Sequence, residues 1–100
     1  MVWTATATTG NVVWDFDYRA VGGNDAESLD QAGTQESVTV TDAAPGAAHR
    51  RMEVSLSLTG TNLAADDHVT FEFFRDGADV ADTMAATAIL FDLFFQYSDV

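Results

Sequence analysis

Residues 11–21 read Asn11-Val12-Val13-Trp14-Asp15-Phe16-Asp17-Tyr18-Arg19-Ala20-Val21, and they contain the clearest structural pattern in the sequence. Because successive residues of a β-strand face opposite sides of a sheet, this alternation would sort the side chains onto two faces. An α-helix would instead scatter the aromatic residues around its circumference. The segment is therefore predicted to be a strand with an apolar face made by Val12, Trp14, Phe16, Tyr18 and Ala20. Its other face would be exposed to solvent and would carry Val13, Asp15, Asp17, Arg19 and Val21.

The same two-residue rhythm predicts further strands over residues 2–7, 36–42, 51–59, 69–73 and 87–98. Turn-forming pairs such as Asp76-Gly77 separate them. The polar segment 22–35 is predicted to be a loop whose only large apolar residue, Leu29, reaches the edge of the core. Short strands joined by turns indicate an all-β fold. We predict a single antiparallel β-sandwich over residues 1–100, jelly-roll-like, with about six to eight strands.

The tail of the sequence has a mixed pattern. Residues 78–86 are predicted to form a long loop with one helical turn. Aromatic and β-branched residues dominate the segment after them, as strands prefer. The core face of that strand would carry Ile89, Phe91, Leu93, Phe95 and Tyr97, which leaves Leu90 and Phe94 facing outward.

Apolar residues on outward faces indicate a partner. Phe74 would lie on the face opposite Phe71 and Phe73, and two valines of residues 11–21 share a face with charged side chains. A monomer seldom exposes a contiguous apolar patch larger than a few hundred Å². The alternative is that both faces of the tail strand are buried within the domain. The predicted interface residues are Phe74, Leu90, Phe94, Val13 and Val21.

Charge and composition exclude several classes of protein. Sixteen acidic residues face four arginines, for a net charge of −12 and a pI near 4.1. Such a chain repels phosphate backbones and anionic membrane surfaces, so neither nucleic acid nor membrane is an expected partner. Cysteine is absent, which rules out disulfides and thiolate metal sites. The sequence has no apolar run of about 20 residues, as a membrane span requires. Its first residues lack the blocks of a signal peptide.

The sequence offers little catalytic chemistry, and no catalytic or cofactor-binding residue is predicted. His49 and His68 are interpreted as exposed loop residues, since no serine near them lies in the context of an activated nucleophile. Asp15 and Asp17 are interpreted as the solvated side of a strand. The one metal hypothesis is calcium at Asp76, Asp79 and Asp82, because hard cations prefer oxygen ligands. The spacing departs from that of an EF-hand, and the alternative is a polar loop.

Four segments together resemble a known class of module. They are residues 3–11 (Trp3-Thr4-Ala5-Thr6-Ala7-Thr8-Thr9-Gly10-Asn11) with the strand after them, residues 36–40 leading into Ala44-Pro45-Gly46, residues 75–85, and the closing strand ending at Tyr97. They resemble the roughly 100-residue, jelly-roll-like β-sandwich modules of tailed-phage fibres, spikes and capsid decorations. The resemblance implies a passive building block, often trimeric, and it carries over no catalytic residue.

The function expected from these observations is that of a virion structural protein. It would be a capsid decoration (cement) or spike subunit that forms a homo-oligomer, with a trimer favoured, and contacts other virion proteins such as the major capsid protein. The alternative is a carbohydrate- or receptor-binding module of a phage fibre. Its candidate aromatic residues are Trp3, Trp14, Tyr18 and Tyr97, although Trp14 and Tyr18 are predicted to belong to the core. An enzyme is not expected.

Overall fold

The computed structural model describes residues 1–22 and 35–97, and these residues form two β-sheets. The sheets are antiparallel and three-stranded, with strand orders β4-β1-β6 in sheet A and β3-β2-β5 in sheet B. The predicted all-β fold, a small antiparallel sandwich, is confirmed, whereas the predicted loop around Leu29 lies outside the described residues. The strands are β1 (Val2–Ala5), β2 (Asn11–Gly22), β3 (Glu36–Ala43), β4 (Met52–Glu53), β5 (Asp67–Arg75) and β6 (Ala88–Asp92).

The central strand of sheet B is β2. Its register places Phe16 opposite Val38 of β3 and Phe73 of β5. Directly opposed residues share one face of a sheet, so the apolar alternation of β2 continues into both neighbours. The predicted core face of β2 is confirmed by its contacts, since Val12 and Trp14 join Trp3 of sheet A in the core cluster and Phe16 contacts Phe95.

The central strand of sheet A is β1, which supplies the other half of the core. Trp3 lies opposite Leu90 of β6, but the next pair is Val2 with Asp92, so Phe91 has no residue opposite it. This is a β-bulge, and one extra residue in a strand reverses which face the following side chains occupy. Before the bulge, the even-numbered residues of β6 therefore share the face of Trp3; after it, the odd-numbered residues face the core.

The predicted faces of the tail strand are wrong before the bulge. Leu90, predicted to face outward, lies opposite the core residue Trp3 and shares its face. Ile89, predicted to face the core, lies opposite Thr4 on the face away from Trp3, and Phe91, also predicted to face the core, is 70% exposed. A single extra residue in one ladder is enough to cause both errors, because the side-chain period of a strand is two.

After the bulge, the predicted faces agree with the structure. Leu93 packs against the core cluster, and the ring of Phe95 contacts that of Phe16 in sheet B at 5.8 Å between centroids. These side chains are nevertheless not buried: Phe95 is 57% exposed and Tyr97 is 85% exposed. The side chains on this part of the tail face the other sheet but are not covered.

Two predicted strands are much shorter as paired elements. The predicted strand 51–59 pairs only over Met52–Glu53, and the predicted strand 87–98 only over Ala88–Asp92. Residues 78–86 contain turns but no helix. In both shortened strands the ladder with β1 ends at Val2, the first residue of β1.

The best-packed part of the sandwich surrounds two tryptophans and is called the closed end below. The rings of Trp3 and Trp14 meet edge to face at 5.6 Å, and Trp14 stacks on Phe73 at 5.3 Å. The indole Nε1 of Trp3 donates a hydrogen bond to Asp42 Oδ2 at 2.8 Å, which joins the two sheets. The buried cluster at this end comprises Met1, Trp3, Ala5, Val12, Trp14 and Met84.

Residues 76–84, called the strap below, fold back along the first residues of β2. The backbone N–H groups of Thr83 and Met84 both donate to the carbonyl oxygen of Asn11 at 2.9 Å. The strap passes so close to Gly10 that a Cβ there would lie 2.7 Å from the Cα atom of Met84, and Gly10 has a φ of +91°. Glycine is the residue that tolerates both conditions.

Candidate interaction surface

Two of the five predicted interface residues are buried within the domain. Val13 is 2% exposed and Val21 is 5% exposed, so the prediction that they lie on the surface is wrong. Both valines lie on the central strand, where Val13 is opposite Thr41 of β3 and Val21 is opposite His68 of β5. The strap also bonds to both backbone groups of Val13, whose N–H donates to Asp82 Oδ2 at 3.1 Å and whose carbonyl accepts from the Asp76 N–H at 2.9 Å.

The other three predicted interface residues lie on different sheets. Phe74 is half-buried on the outer face of sheet B, opposite Asp15. Leu90 and Phe94 are 41% and 47% exposed, and they belong to β6 and the tail that follows it. The structure thus separates Phe74 from the tail residues rather than bringing all of them into one patch.

The main exposed apolar surface belongs to the tail and its neighbours. Phe91, Phe94, Phe95 and Tyr97 are all between 47% and 85% exposed, and Phe71 on β5 is 52% exposed. At roughly 200 Å² for each aromatic side chain, these five leave on the order of 600 Å² of ring surface in solvent. A total of this size is at the upper end of what an ordinary monomer exposes in its largest apolar patch, which makes these residues a candidate interface.

Part of this surface lines a groove of about 990 Å³ at the end of the sandwich away from the strap, called the open end below. The groove lies between residues 55–58, which follow β4, and residues 93–97, which follow β6. Its floor includes Phe16 of sheet B, and its lining contains no aspartate, glutamate, lysine or arginine side chain. The larger apolar residues that line it are Met1, Phe16, Leu56, Leu58, Leu63, Leu93, Phe94, Phe95 and Tyr97.

One rim of the groove is fixed by Glu36 at the start of β3. Its carboxylate accepts hydrogen bonds from the Tyr18 hydroxyl at 2.6 Å and from the backbone N–H and side-chain hydroxyl of Thr59 at 3.1 and 2.9 Å. The hydrogen bond from Tyr18 is the main reason why the pKa of Glu36 is lowered, and the bonds from Thr59 add to it. The pKa of Tyr18 is raised, mainly by burial and then by its hydrogen bond to Glu36. Residues 59–62 are therefore tied to sheet B by a negative charge.

The outer face of β2 carries a carboxylate that the sequence did not mark as unusual. Asp15 is 9% exposed, whereas the alternation predicted a solvated residue. Burial and the neighbouring charge of Asp17 raise the pKa of Asp15, and a hydrogen bond from the Ser37 hydroxyl at 3.3 Å opposes that rise. The burial of Asp15 could not be predicted from the alternation, because it depends on the neighbours that β3 and β5 place on either side of it, Thr39 and Phe74.

The three aspartates of the metal hypothesis are not brought together. Both oxygens of Asp82 are engaged by Arg75, at 2.6 and 2.9 Å, and this ion pair lowers the pKa of Asp82. Asp76 and Asp79 each cap a turn by accepting a backbone N–H two residues ahead. Within residues 1–22 and 35–97, no group of three or more acidic or histidine residues could hold a metal ion. The three carboxylates instead shape the strap.

The aromatic residues proposed for sugar binding are mostly in the core. Trp3, Trp14 and Tyr18 are 0%, 4% and 2% exposed, which confirms the predicted core positions of Trp14 and Tyr18. Tyr97 alone of the four is open to solvent. The two histidines are both exposed, His49 in a turn and His68 on the strand β5 rather than in a loop.

In the described residues, no helix is long and apolar enough to cross a membrane. Comparison of the chain with known protein families, with curated proteins and with solved structures finds no match.

Proposed function

We propose that this chain is a non-enzymatic structural subunit of a virus particle, a capsid decoration (cement) or spike protein that stabilises the particle by protein–protein contacts. The observation that carries the proposal is the exposed aromatic surface of the tail, which includes Phe91, Phe94 and Tyr97. Its four exposed rings leave on the order of 500 Å² in solvent, a large part of the roughly 800 Å² that each partner contributes to a standard interface. The resemblance to phage modules supplies the viral setting and favours a trimer.

The test of this proposal is a proteomic measurement of purified virions with copy numbers, together with light scattering on the isolated protein. A decoration protein would be present in hundreds of copies for each particle, and a spike subunit in few. A protein that stays monomeric and is absent from virions would contradict the proposal. Replacing Phe91 by serine should weaken assembly, whereas the same change at Val80, which is 95% exposed outside the tail, should not.

A second candidate is a carbohydrate- or receptor-binding module of a phage fibre. The exposure of Tyr97 at the mouth of the groove favours it, since aromatic rings are common sugar platforms. A glycan array compares the unaltered protein with Tyr97→Ala. Binding that depends on Tyr97 would support this candidate, and an array without hits would remove it.

A further inference from the structure

The strand β6 (Ala88–Asp92) forms one edge of sheet A, and the outer side of this strand is unpaired. On its inner side it pairs with the central strand β1. Within the described residues, no hydrogen bond reaches the backbone groups that point away from β1. Such an edge is a template for a further strand, and natural proteins ordinarily block it. Its side chains therefore decide whether another strand can pair there.

The other three edge strands of the two described sheets are protected against such pairing. The strand β4 is only two residues long, β3 contains Glu36 and Asp42, and β5 contains Asp67 and Glu72. Shortness and charge are two of the devices by which proteins keep sheet edges apart. In contrast, β6 is five residues long and has no charge before its last residue, Asp92. Of the four described edges, β6 therefore has the least protection by charge or shortness.

Apolar side chains are exposed on both faces of β6, which favours a neighbouring strand as the partner. Leu90 lies on the face of sheet A that carries Trp3, and Ile89 lies on the opposite face. These two residues are 41% and 40% exposed, and Phe91 is 70% exposed. A molecule that docked on one face of the sheet would cover only one of these sets. A strand added at the edge approaches both faces at once, because its own side chains alternate in the same way.

The sequence of β6 is complementary to itself when two copies run antiparallel about a twofold axis at Leu90. In that register Leu90 lies opposite Leu90 of the second copy, Ile89 opposite Phe91, and Ala88 opposite Asp92. Aromatic and β-branched residues that lie directly opposite each other stabilise an antiparallel pair, whereas like charges destabilise it. Here each Asp92 meets an alanine and not another carboxylate. The strand that fits this edge is therefore the same strand of a second copy.

We propose that β6 pairs with β6 of a second copy, antiparallel and centred on Leu90, which joins two copies of sheet A into one six-stranded sheet. Phe71 and Phe95 lie on the same side of the sandwich, since their rings are in contact at 6.1 Å. With Phe91 they leave on the order of 350 Å² of ring surface in solvent for each copy. The paired strands add their own surface, and about 600 Å² for each copy is the small end of standard interfaces. We therefore expect a dissociation constant in the micromolar range.

The charge of the chain gives the association a definite dependence on salt. Each copy has a net charge of −12, so two copies repel each other at long range. The paired residues Ala88–Phe91 are uncharged, so the contact contains no ion pair that salt would weaken. Sedimentation equilibrium should give a dissociation constant at least roughly threefold lower at about 0.5 M than at about 0.05 M salt, because salt screens the repulsion. Association that fails to tighten with salt would overturn the proposal.

Single cysteines test the register, because the chain has none of its own. Leu90→Cys should form a disulfide-linked dimer under mild oxidation, since residues directly opposite each other have Cβ atoms about 5 Å apart, close to what a disulfide spans. Val80→Cys is the control, at a residue that is 95% exposed in the strap, and it should link at least roughly tenfold more slowly. A mixture of Ile89→Cys and Phe91→Cys should link faster than either variant alone. Equal rates at residues 90 and 80 would overturn the pair.

A charge placed on the edge tests the pair without a cross-link. Ile89→Lys should raise the dissociation constant of the dimer at least roughly tenfold, because a lysine on an edge strand opposes pairing. Val80→Lys makes the same change in net charge outside β6 and should not raise it. Circular dichroism of both variants checks that the sandwich is folded. A dimer that Ile89→Lys leaves intact would overturn the proposal, as would a protein that stays monomeric at millimolar concentration.

This inference deepens the proposed function, on which it rests for the view that the chain works by contact with other proteins. The two fail in different experiments. A trimer that Ile89→Lys leaves intact, in a protein that is present in virions, would overturn the twofold pair and retain the proposed function. A dimer that links through Leu90→Cys, in a protein that is absent from virions, would retain the pair and lose the viral setting.

Discussion

The closed end and the open end of the sandwich are built from the same alternation but differ in burial. At the closed end, Trp3 on the central strand of sheet A is fully buried against Trp14. At the open end, Phe95 faces the same sheet B and contacts Phe16 and Phe71, yet 57% of it is exposed. The difference is strand pairing, because Trp3 pairs with Met52 and Leu90 on its two sides, whereas Phe95 lies outside the paired strands. Alternation selects the face of a side chain, but a neighbouring strand is needed to cover it.

The largest expected effect is at the centre of the closed end. Trp3→Ala should lower the free energy of unfolding by about 4 kcal/mol, because it opens a large cavity and leaves Asp42 without its indole donor. Phe95→Ala, the matched change at the open end, should cost about 1 kcal/mol, since its ring is already half in solvent. Urea unfolding of both variants measures the contrast. Equal losses would show that the two ends are packed alike.

The next effect concerns the ion pair that anchors the strap. Asp82→Ala should cost about 3 kcal/mol, because the side chain of Asp82 is 3% exposed and its loss leaves Arg75 without a counter-charge and the N–H of Val13 without an acceptor. Asp79→Ala is the control, since that carboxylate only caps a turn, and it should cost about 1 kcal/mol or less. If the two variants were equally stable, the strap would not depend on the ion pair.

The same pair gives a pH dependence with a definite sign. The pKa of Asp82 is lower in the folded protein than its ordinary value of 3.8. Its stabilising contribution is therefore complete well above pH 3.8 and is lost as the pH falls through the folded pKa. Thermal unfolding between pH 2 and 5, followed for the unaltered protein and for Asp82→Asn, should show a smaller acid-induced loss in the variant.

Gly10 tests how closely the strap packs on β2. Gly10→Ala should cost about 2 kcal/mol, because the new Cβ meets the backbone of Met84 and φ is positive at this position. Gly77→Ala is the control, since a Cβ there meets nothing within 4 Å, and it should change stability by less than about 1 kcal/mol. Differential scanning calorimetry of both variants would detect the difference. A neutral result at Gly10 would mean that the strap can move away.

The smallest expected effect concerns Asp15, whose substitution should stabilise the protein at neutral pH and not destabilise it. Its folded pKa is raised, so the folded state is stabilised by protonation below pH 3.8 and loses that stabilisation as the pH rises through the folded value. Asp15→Asn should therefore stabilise the protein at pH 7 by about 1 kcal/mol and have less effect at pH 3. Asp92→Asn, an exposed site with the same change in charge, is the control. A stabilisation of equal size at Asp92 would assign the effect to net charge.

The alternation in the sequence determined the strand β2, its core face and the all-β class. These features are local, because the side-chain period of two is a property of the extended backbone itself. The same reasoning correctly placed Trp14 and Tyr18 in the core, and it correctly turned Phe95 toward the other sheet.

Only the tertiary structure decided how these faces are covered. The bulge at Phe91 depends on the pairing of β6 with β1, and it reversed the face of Leu90. The burial of Val13 and Asp15 depends on strands and a strap that are distant in sequence. The groove lies between residues 55–58 and 93–97, two segments that are distant in sequence and that only the fold brings together. Periodicity specifies which way a side chain points, whereas pairing across the sheet specifies what it meets.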